Sequence, residues 1–264
     1  MTKIISIINQ KGGVGKTTTA INLGCSFAHA NEKILLVDLD PQGNASTGLG
    51  IGIDDRKKTI YDLMITKDQN VHDYVYNTSI KNLDVIPSNV DLSGFETEVA
   101  EDGKRAFSLI DVITPIVKKN HYNYILIDCP PSLSLLTIMA LVGSNSVLVP
   151  LQTEFFALEG LSQLVKTIDR VKQKLNTSLT MQGIILTMFD KRNKLCSEVE
   201  QEARKFFENE VYKTVIPRNI RISEAPSHGI PVILYDKNCS GTKAYEKLAM
   251  EIIEQEKQNN NFAA

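Results

Sequence analysis

Residues 9–19 read N-Q-K-G-G-V-G-K-T-T-T and follow directly on the β-branched run Lys3–Asn9. That run predicts a buried parallel strand. The stretch after it matches a phosphate-binding loop, G-x-x-x-x-G-K-[ST], at Gly15, Lys16 and Thr17. It departs from the pattern twice: Gln10 stands where the first glycine belongs, and Lys11 adds a second lysine. Gly12, Gly13 and Gly15, with Val14 among them, let the backbone curl so that successive N–H groups face phosphate oxygens. A helix pattern from Lys16 to about Ala30 follows, and its N-terminus adds partial positive charge near Thr17 and Thr18. Lys16 is placed to reach the β and γ phosphates, and the Thr17 hydroxyl suits a Mg²⁺ ligand. A glycine turn with incidental lysines would need neither the strand before it nor the helix after it.

Working outward, Lys33–Val37 predicts a second strand that ends in Asp38-Leu39-Asp40-Pro41-Gln42-Gly43-Asn44. Strand, glycine loop, helix and strand make a βαβ unit. Ligand groups gather at the C-terminal edge of such sheets, so the two carboxylates are candidates to orient an attacking water or a metal's water shell. Asp, Pro, Gly and Asn also build plain surface turns; the neighbouring phosphate loop favours the functional reading. Tyr122–Ile127 predicts another strand, ending at Asp128. A carboxylate after an apolar strand is the Walker-B arrangement, which holds Mg²⁺ directly or through water. The stiff turn Cys129–Ser132 is placed to respond to a γ-phosphate. Further strands are expected at Leu83–Ile86, Ser146–Val149, Gln182–Thr187 and Val232–Leu234. Helices are expected near Thr59–Ile65, Ala106–Lys118, Leu158–Lys174, Ser197–Phe207 and Thr242–Gln255. This alternation predicts an α/β fold, a mainly parallel twisted sheet with helices on both faces, in a single domain. The domain is expected to span residues 1–257, with 258–264 as a disordered tail.

The bulk properties narrow the partners. The 264 residues are 23% charged and 42% hydrophobic, with a net charge of −2. Nothing global advertises a polyanion partner, so nucleic-acid binding would rest on a local patch. The candidates are Asp190-Lys191-Arg192-Asn193-Lys194 and, further on, Arg218 and Arg221. These cations are able to contact DNA phosphates without reading sequence; composition alone favours a solvated charged loop. No apolar run approaches the roughly 18 residues of a spanning helix, and no secretory signal is expected at the start. Cys25, Cys129, Cys196 and Cys239 form no C-x-x-C pair, which reads as free thiols in a reducing cytoplasm. The four histidines are scattered and carry no assignment.

With these motifs in place, the sequence resembles the ParA/MinD class of P-loop ATPases with a deviant Walker A loop, K-G-G-V-G-K-T-T-T. D-L-D-P-Q-G-N-A-S-T, I-L-I-D-C-P-P-S-L, L-T-M-F-D-K-R and R-N-I-R-I-S-E-A-P-S-H-G narrow the likeness to the ParA/Soj partitioning proteins. The likeness runs from Lys3 to about Ala249. The chain begins at its first strand, which favours the short, Soj-like subgroup. The resemblance implies a P-loop NTPase-like fold, with ATP and Mg²⁺ as cofactors and an ATP-bound sandwich homodimer. It implies non-specific DNA binding, slow hydrolysis stimulated by a ParB/Spo0J-like protein, and a cytoplasmic location on the nucleoid in the ATP state.

Residue by residue, it implies that Lys11 reaches the partner subunit's phosphates. Lys16 and Thr17 match the in-loop lysine and the Mg²⁺ ligand. Asp40 matches the acidic residue needed for hydrolysis and is expected in the metal site with Thr17 and Asp128, the Walker-B carboxylate. Pro217 and Asn219 fall where the family contacts adenine; Arg192 and Arg221 fall where it binds DNA. A MinD-like membrane ATPase shares the loop but needs a basic amphipathic C-terminal helix. Here Glu246, Glu251, Glu254 and Glu256 oppose Lys243, Lys247 and Lys257, so no stable membrane association is expected. Nitrogenase-reductase-like proteins share the loop but hold an iron–sulfur cluster between subunits. A non-enzymatic DNA-binding scaffold is at odds with intact Lys16, Asp40 and Asp128.

Overall fold

The computed structural model describes residues 2–67, 70–98, 104–119 and 121–263. The strands are β1 (Lys3–Ile7), β2 (Ile34–Asp38), β3 (Tyr76–Asn77), β4 (Leu83–Ile86), β5 (Tyr124–Asp128), β6 (Ser146–Gln152) and β7 (Thr180–Thr187). The helices are α1 (Lys16–His29), α2 (Asn44–Gly48), α3 (Ile60–Thr66), α4 (Phe95–Glu98), α5 (Ser108–Lys118), α6 (Leu135–Gly143), α7 (Ala157–Lys174), α8 (Lys194–Phe207), α9 (Ile220–Glu224), α10 (Val232–Tyr235) and α11 (Ser240–Ala263). The sheet runs β3-β4-β2-β5-β1-β6-β7, and every pair is parallel except β3 with β4.

Strands buried on both faces must be apolar throughout, and Ile34–Asp38 and Tyr124–Asp128 are buried at every position. Alternate side chains feed two cores. Ile4, Leu35, Val37, Ile125 and Ile127 pack on the face that includes α5, α6 and α7. Ile5, Ile7, Leu36, Leu126 and Leu148 pack on the face that includes α1 and α11. Each fully buried aliphatic side chain contributes about 1.5–3 kcal/mol. On the second face Phe27 of α1 stacks on Tyr124, ring centroids 4.5 Å apart. This fixes the helix that leads out of the phosphate loop.

Besides the short elements β3, α2, α4 and α9, which the sequence pattern does not predict, three further segments differ from the sequence expectation. Val232–Leu234 is helix, not strand. Pro231 starts the turn, and the carbonyls of Pro231 and Val232 accept from Leu234, Tyr235 and Asp236, while the Val232 N–H bonds Asn22 Oδ1 at 2.8 Å. A three-residue apolar run has no periodicity that could separate the two states. Helix α6 is additional; it is apolar on nearly every side, connects β5 to β6 and packs in the core with α5 and α7. Helix α11 continues past Gln255 to Ala263, through a run with no Gly or Pro to stop it. Ala264, the end of the expected tail, lies outside the described residues.

Candidate nucleotide site and cationic face

The sheet register brings the motifs to one edge. Ile7, Asp38 and Asp128 are aligned across β1, β5 and β2, because Ile7 and Asp38 both pair with Asp128. The phosphate loop leaves β1, the Asp38–Asn44 turn leaves β2 and the Cys129–Ser132 turn leaves β5, so all three meet where the central strands end.

The loop is tied down from several sides. The Asn9 amide donates to the Pro150 carbonyl at 2.8 Å, and Asn9 Oδ1 accepts from the Lys11 N–H at 3.0 Å. Thr187 Oγ1 donates to the Val14 carbonyl at 2.8 Å. Gln10, in the position of the missing glycine, donates to the Gly160 carbonyl at 3.1 Å and anchors the loop to α7. Gly15 is the N-cap of α1 with φ 91, a left-handed conformation that disfavours any side chain. No side chain caps α1, so its first N–H groups are free to meet an anion.

Lys16 is buried, 6% exposed, and its Nζ donates to the Lys11 carbonyl at 3.0 Å. Burial lowers its pKa, opposed chiefly by the charge of Asp128 and also by Asp40. Asp128 is fully buried, and neither carboxylate oxygen has a well-formed hydrogen bond. Burial pushes its pKa well up, neighbouring Asp38 adds to this, and the Thr17 hydroxyl and Lys16 offset part of it. Thr17 is thus close enough to act on the charge without the geometry of a full bond.

An orphaned buried carboxylate beside a threonine hydroxyl fits a divalent cation or its bound water. Among the described residues no three His, Cys, Asp or Glu side chains form a group that could hold a metal ion by themselves, so phosphate oxygens and water would complete such a shell. Asp38 is used internally instead: its carboxylate accepts from the Ser46 N–H at 2.8 Å and the Ser46 hydroxyl at 2.6 Å. Asp40, 7% exposed, keeps its carboxylate at the same edge, where Oδ1 accepts from the Gln42 N–H at 3.0 Å. Burial raises the Cys129 thiol far above its ordinary range, which keeps it protonated.

Beside the loop a cavity of about 380 Å³ is lined by Gly15, Thr18, Pro217, Asn219 and Tyr245 among others. Its size suits a small-molecule ring. The two residues matched to adenine contact therefore stand next to the loop, about 200 residues after it in sequence. Asn219 Oδ1 caps α9 by accepting from the Arg221 N–H at 2.8 Å, and its amide donates to Ser240 Oγ at 2.8 Å.

Pro217 and Arg218 also line a second hollow, with Asp190, Lys191 and Arg192. Backbone bonds from Phe189 N–H to the Ile216 carbonyl, 3.0 Å, and from Arg218 N–H to the Phe189 carbonyl, 3.1 Å, join these two segments. Arg192 forks onto Asp190, with Nε–Oδ1 at 3.0 Å and Nη2–Oδ2 at 2.8 Å. Arg221 pairs with Glu224 at 2.9 Å, has Asp236 at 3.7 Å and lies over the Tyr235 ring. The two arginines line separate hollows rather than one.

Lys11 does not enter its own phosphate cradle. Its ammonium pairs with Glu154, just before the exposed Phe155 and Phe156, 74% and 68% exposed. Sequence reasoning had no signal for Glu154, Ser46 or the buried Arg56, because each acts through a contact distant along the chain.

A family model described as an AAA domain matches residues 2–181. The chain is 51% identical over 262 residues to the chromosome partitioning protein ParA of Caulobacter vibrioides, covering 99% of this chain and 98% of that one. It is 51% identical over 252 residues to the sporulation initiation inhibitor protein Soj of Bacillus subtilis, covering 96% and 98%. Among solved structures it is similar to the cobyrinic acid a,c-diamide synthase of Mycobacterium smegmatis with bound ADP and magnesium. That likeness has a TM-score of 0.84 at 29% identity over 98% of this chain and 97% of that one. No helix among the described residues is long and apolar enough to cross a membrane. With the loop, the strand-end carboxylates and the full-length identity in agreement, the chain belongs to the ParA/Soj family of chromosome-partitioning ATPases.

Proposed function

We propose that the protein is a Mg²⁺-dependent ATPase that forms an ATP-bound sandwich dimer on DNA and leaves it after hydrolysis. The observation that carries this is the meeting of Lys16, Thr17, Asp40 and the orphaned Asp128 at one sheet edge, beside a cavity lined by Pro217 and Asn219. The structural relative with ADP and magnesium supports the choice of nucleotide and metal. Bound Mg²⁺ would neutralise phosphate charge. Thr17 and Asp128 are the residues to hold it. Lys16 and the uncapped N-terminus of α1 bind the phosphates, and Asp40 orients the attacking water.

The dimer reading draws on Lys11. A lysine held outside its own cradle, beside two exposed phenylalanines, is free to serve a facing subunit's phosphates once Glu154 releases it. Exposed aromatic side chains of that kind are enriched at the cores of protein–protein interfaces. Arg192 and Arg221 then contribute sequence-independent phosphate contacts to DNA. A ParB/Spo0J-like protein stimulates turnover, and the protein is cytoplasmic, on the nucleoid when ATP is bound.

The deciding experiment is co-sedimentation with non-specific DNA in ADP, in ATP and in a non-hydrolysable analogue, alongside size analysis. Binding and dimerisation with the analogue, and neither with ADP, are expected. Lys11→Ala is expected to keep ATP binding as a monomer and to lose the dimer. Equal DNA binding in all three nucleotide states would overturn the reading, and normal dimerisation of Lys11→Ala would remove Lys11 from it.

A further inference from the structure

Arg56 belongs to no motif, yet among the described residues it is the only buried arginine, 8% exposed. Its guanidinium joins three parts of the chain. Nη1 donates to the Ser88 carbonyl at 3.0 Å, just beyond β4. Nη2 donates to Thr47 Oγ1 of α2 at 2.6 Å and to the Ile51 carbonyl at 3.0 Å, which also accepts from Nε at 3.2 Å. The flat group lies against Gly43: a Cβ there would come within 2.2 Å of Nη1 and 2.9 Å of the Ser88 carbonyl. Gly43 has φ 62, so this position needs glycine for its backbone as well.

The clamp closes around the turn that carries Asp40. The Gly43 N–H donates to the Asp40 carbonyl at 2.9 Å, and Thr47 Oγ1 donates back to the Gly43 carbonyl at 3.2 Å. From the other side Ser46 ties α2 to Asp38 and accepts from the Ser88 N–H at 3.1 Å. The Asp40–Thr47 segment is thus gripped between the end of β4 and the guanidinium. Ala45 and Leu49 seat α2 in the core independently of Arg56. Loss of the clamp therefore loosens the turn more than the fold.

We propose that Arg56 is a positioning residue for hydrolysis: its planar fork fixes the Asp40–Gly43 turn against β4 and so sets the Asp40 carboxylate relative to the phosphate loop. This rests on Asp40 being the group that turnover needs. A misplacement of about 1 Å at such a group can cost about a hundredfold in rate, while the phosphate contacts made by Lys16 and α1 do not pass through Arg56.

Arg56→Lys separates charge from geometry, because an ammonium keeps a cation near Asp38 but cannot span three acceptors as a fork does. The expected result is a kcat reduced about tenfold to a hundredfold, with the dissociation constant of a fluorescent ATP analogue unchanged. Thr47→Val removes only the α2 arm and should lower kcat by a smaller factor. Added to Arg56→Lys it should lower kcat no further, the sign of one coupled unit. An Arg56→Lys enzyme with wild-type kcat overturns the proposal. So does a parallel fall in kcat and nucleotide affinity, or losses that multiply in the double variant. Should Arg56→Lys fail to fold, Thr47→Val decides alone, and an unchanged kcat overturns it. Asp40→Ala run beside them keeps the two ideas apart: undiminished turnover there sinks the role of Asp40 and leaves the clamp without a purpose.

Discussion

On the proposed function Lys16 and Arg192 are both cations that serve phosphate, and they sit in opposite surroundings. Lys16 is 6% exposed, its ammonium held over a loop that Asn9, Gln10 and Thr187 pin to three other elements. The Arg192 side chain is 90% exposed and its fork is held by one neighbour, Asp190. Burial makes the first cation specific: it meets one phosphate group in one geometry, in surroundings where charge is poorly screened. Exposure makes the second permissive: it would follow any phosphate backbone and lose strength as salt rises. A protein that binds one nucleotide tightly and any DNA loosely, as proposed, would use one cation of each kind.

The sharpest way to break this contrast is Lys16→Ala. Removing a preorganised donor from a buried site costs about 10²–10³ in rate, so turnover and nucleotide affinity should both collapse in a coupled-enzyme assay and a titration. DNA binding should go with them if it depends on bound ATP. Near-normal turnover would mean that burial gives Lys16 no special weight. Asp40→Ala comes next. Its turnover should fall by about 10²–10⁴, the range of a lost acid–base group, while ATP affinity holds and the dimer stays on DNA. Rapid hydrolysis by this variant would remove Asp40 from the chemistry.

Arg192→Ala with Arg221→Ala should have a milder and differently shaped effect. Two lost phosphate contacts flatten the plot of log affinity against log salt by about 1.8, at about 0.9 per contact. Nucleotide affinity should not move, since neither arginine lines the base cavity. A slope identical to wild type would separate these arginines from DNA.

The same contrast governs what the sequence made readable. The phosphate edge was legible because its signals are local. A β-branched strand, a glycine loop and a helix are contiguous, and Asp38 and Asp128 each directly follow an apolar run, so parallel register alone aligns them. The meeting of Pro217 and Asn219 with the loop was readable only through resemblance, since Pro217 reaches Gly15 by tertiary folding. Arg56 was invisible: its acceptors lie at Thr47, Ile51 and Ser88, and no spacing rule connects them. The apolar run at Val232 went to helix because Asn22, on α1, accepts its first N–H. The pairing of Arg192 with Asp190 also escaped, although the two are close in sequence. Adjacent opposite charges do not reveal whether they face each other or solvent.

That pairing supplies the smallest effect and the finest test of the contrast. Asp190 occupies the guanidinium fork that a DNA phosphate would need, so the two anions compete for Arg192. Hydrogen bonds and charge from Arg192 hold the Asp190 carboxyl at about 2. It is a depressed carboxylate, so it stays ionised, and the pair intact, at any pH above that value; an assay between pH 5 and 8 never titrates it. Asp190→Asn removes the competing charge and keeps an oxygen to accept from the Arg192 backbone N–H, now 3.0 Å away. Exposed ion pairs are weak, so DNA affinity should rise by only about two- to fourfold at low salt. The gain should shrink as salt screens the surface and stay constant from pH 5 to 8. A large gain that survives high salt would mean that Asp190 restrains more than one cation. Weaker binding would mean that it orients Arg192 for the phosphate instead of withholding it.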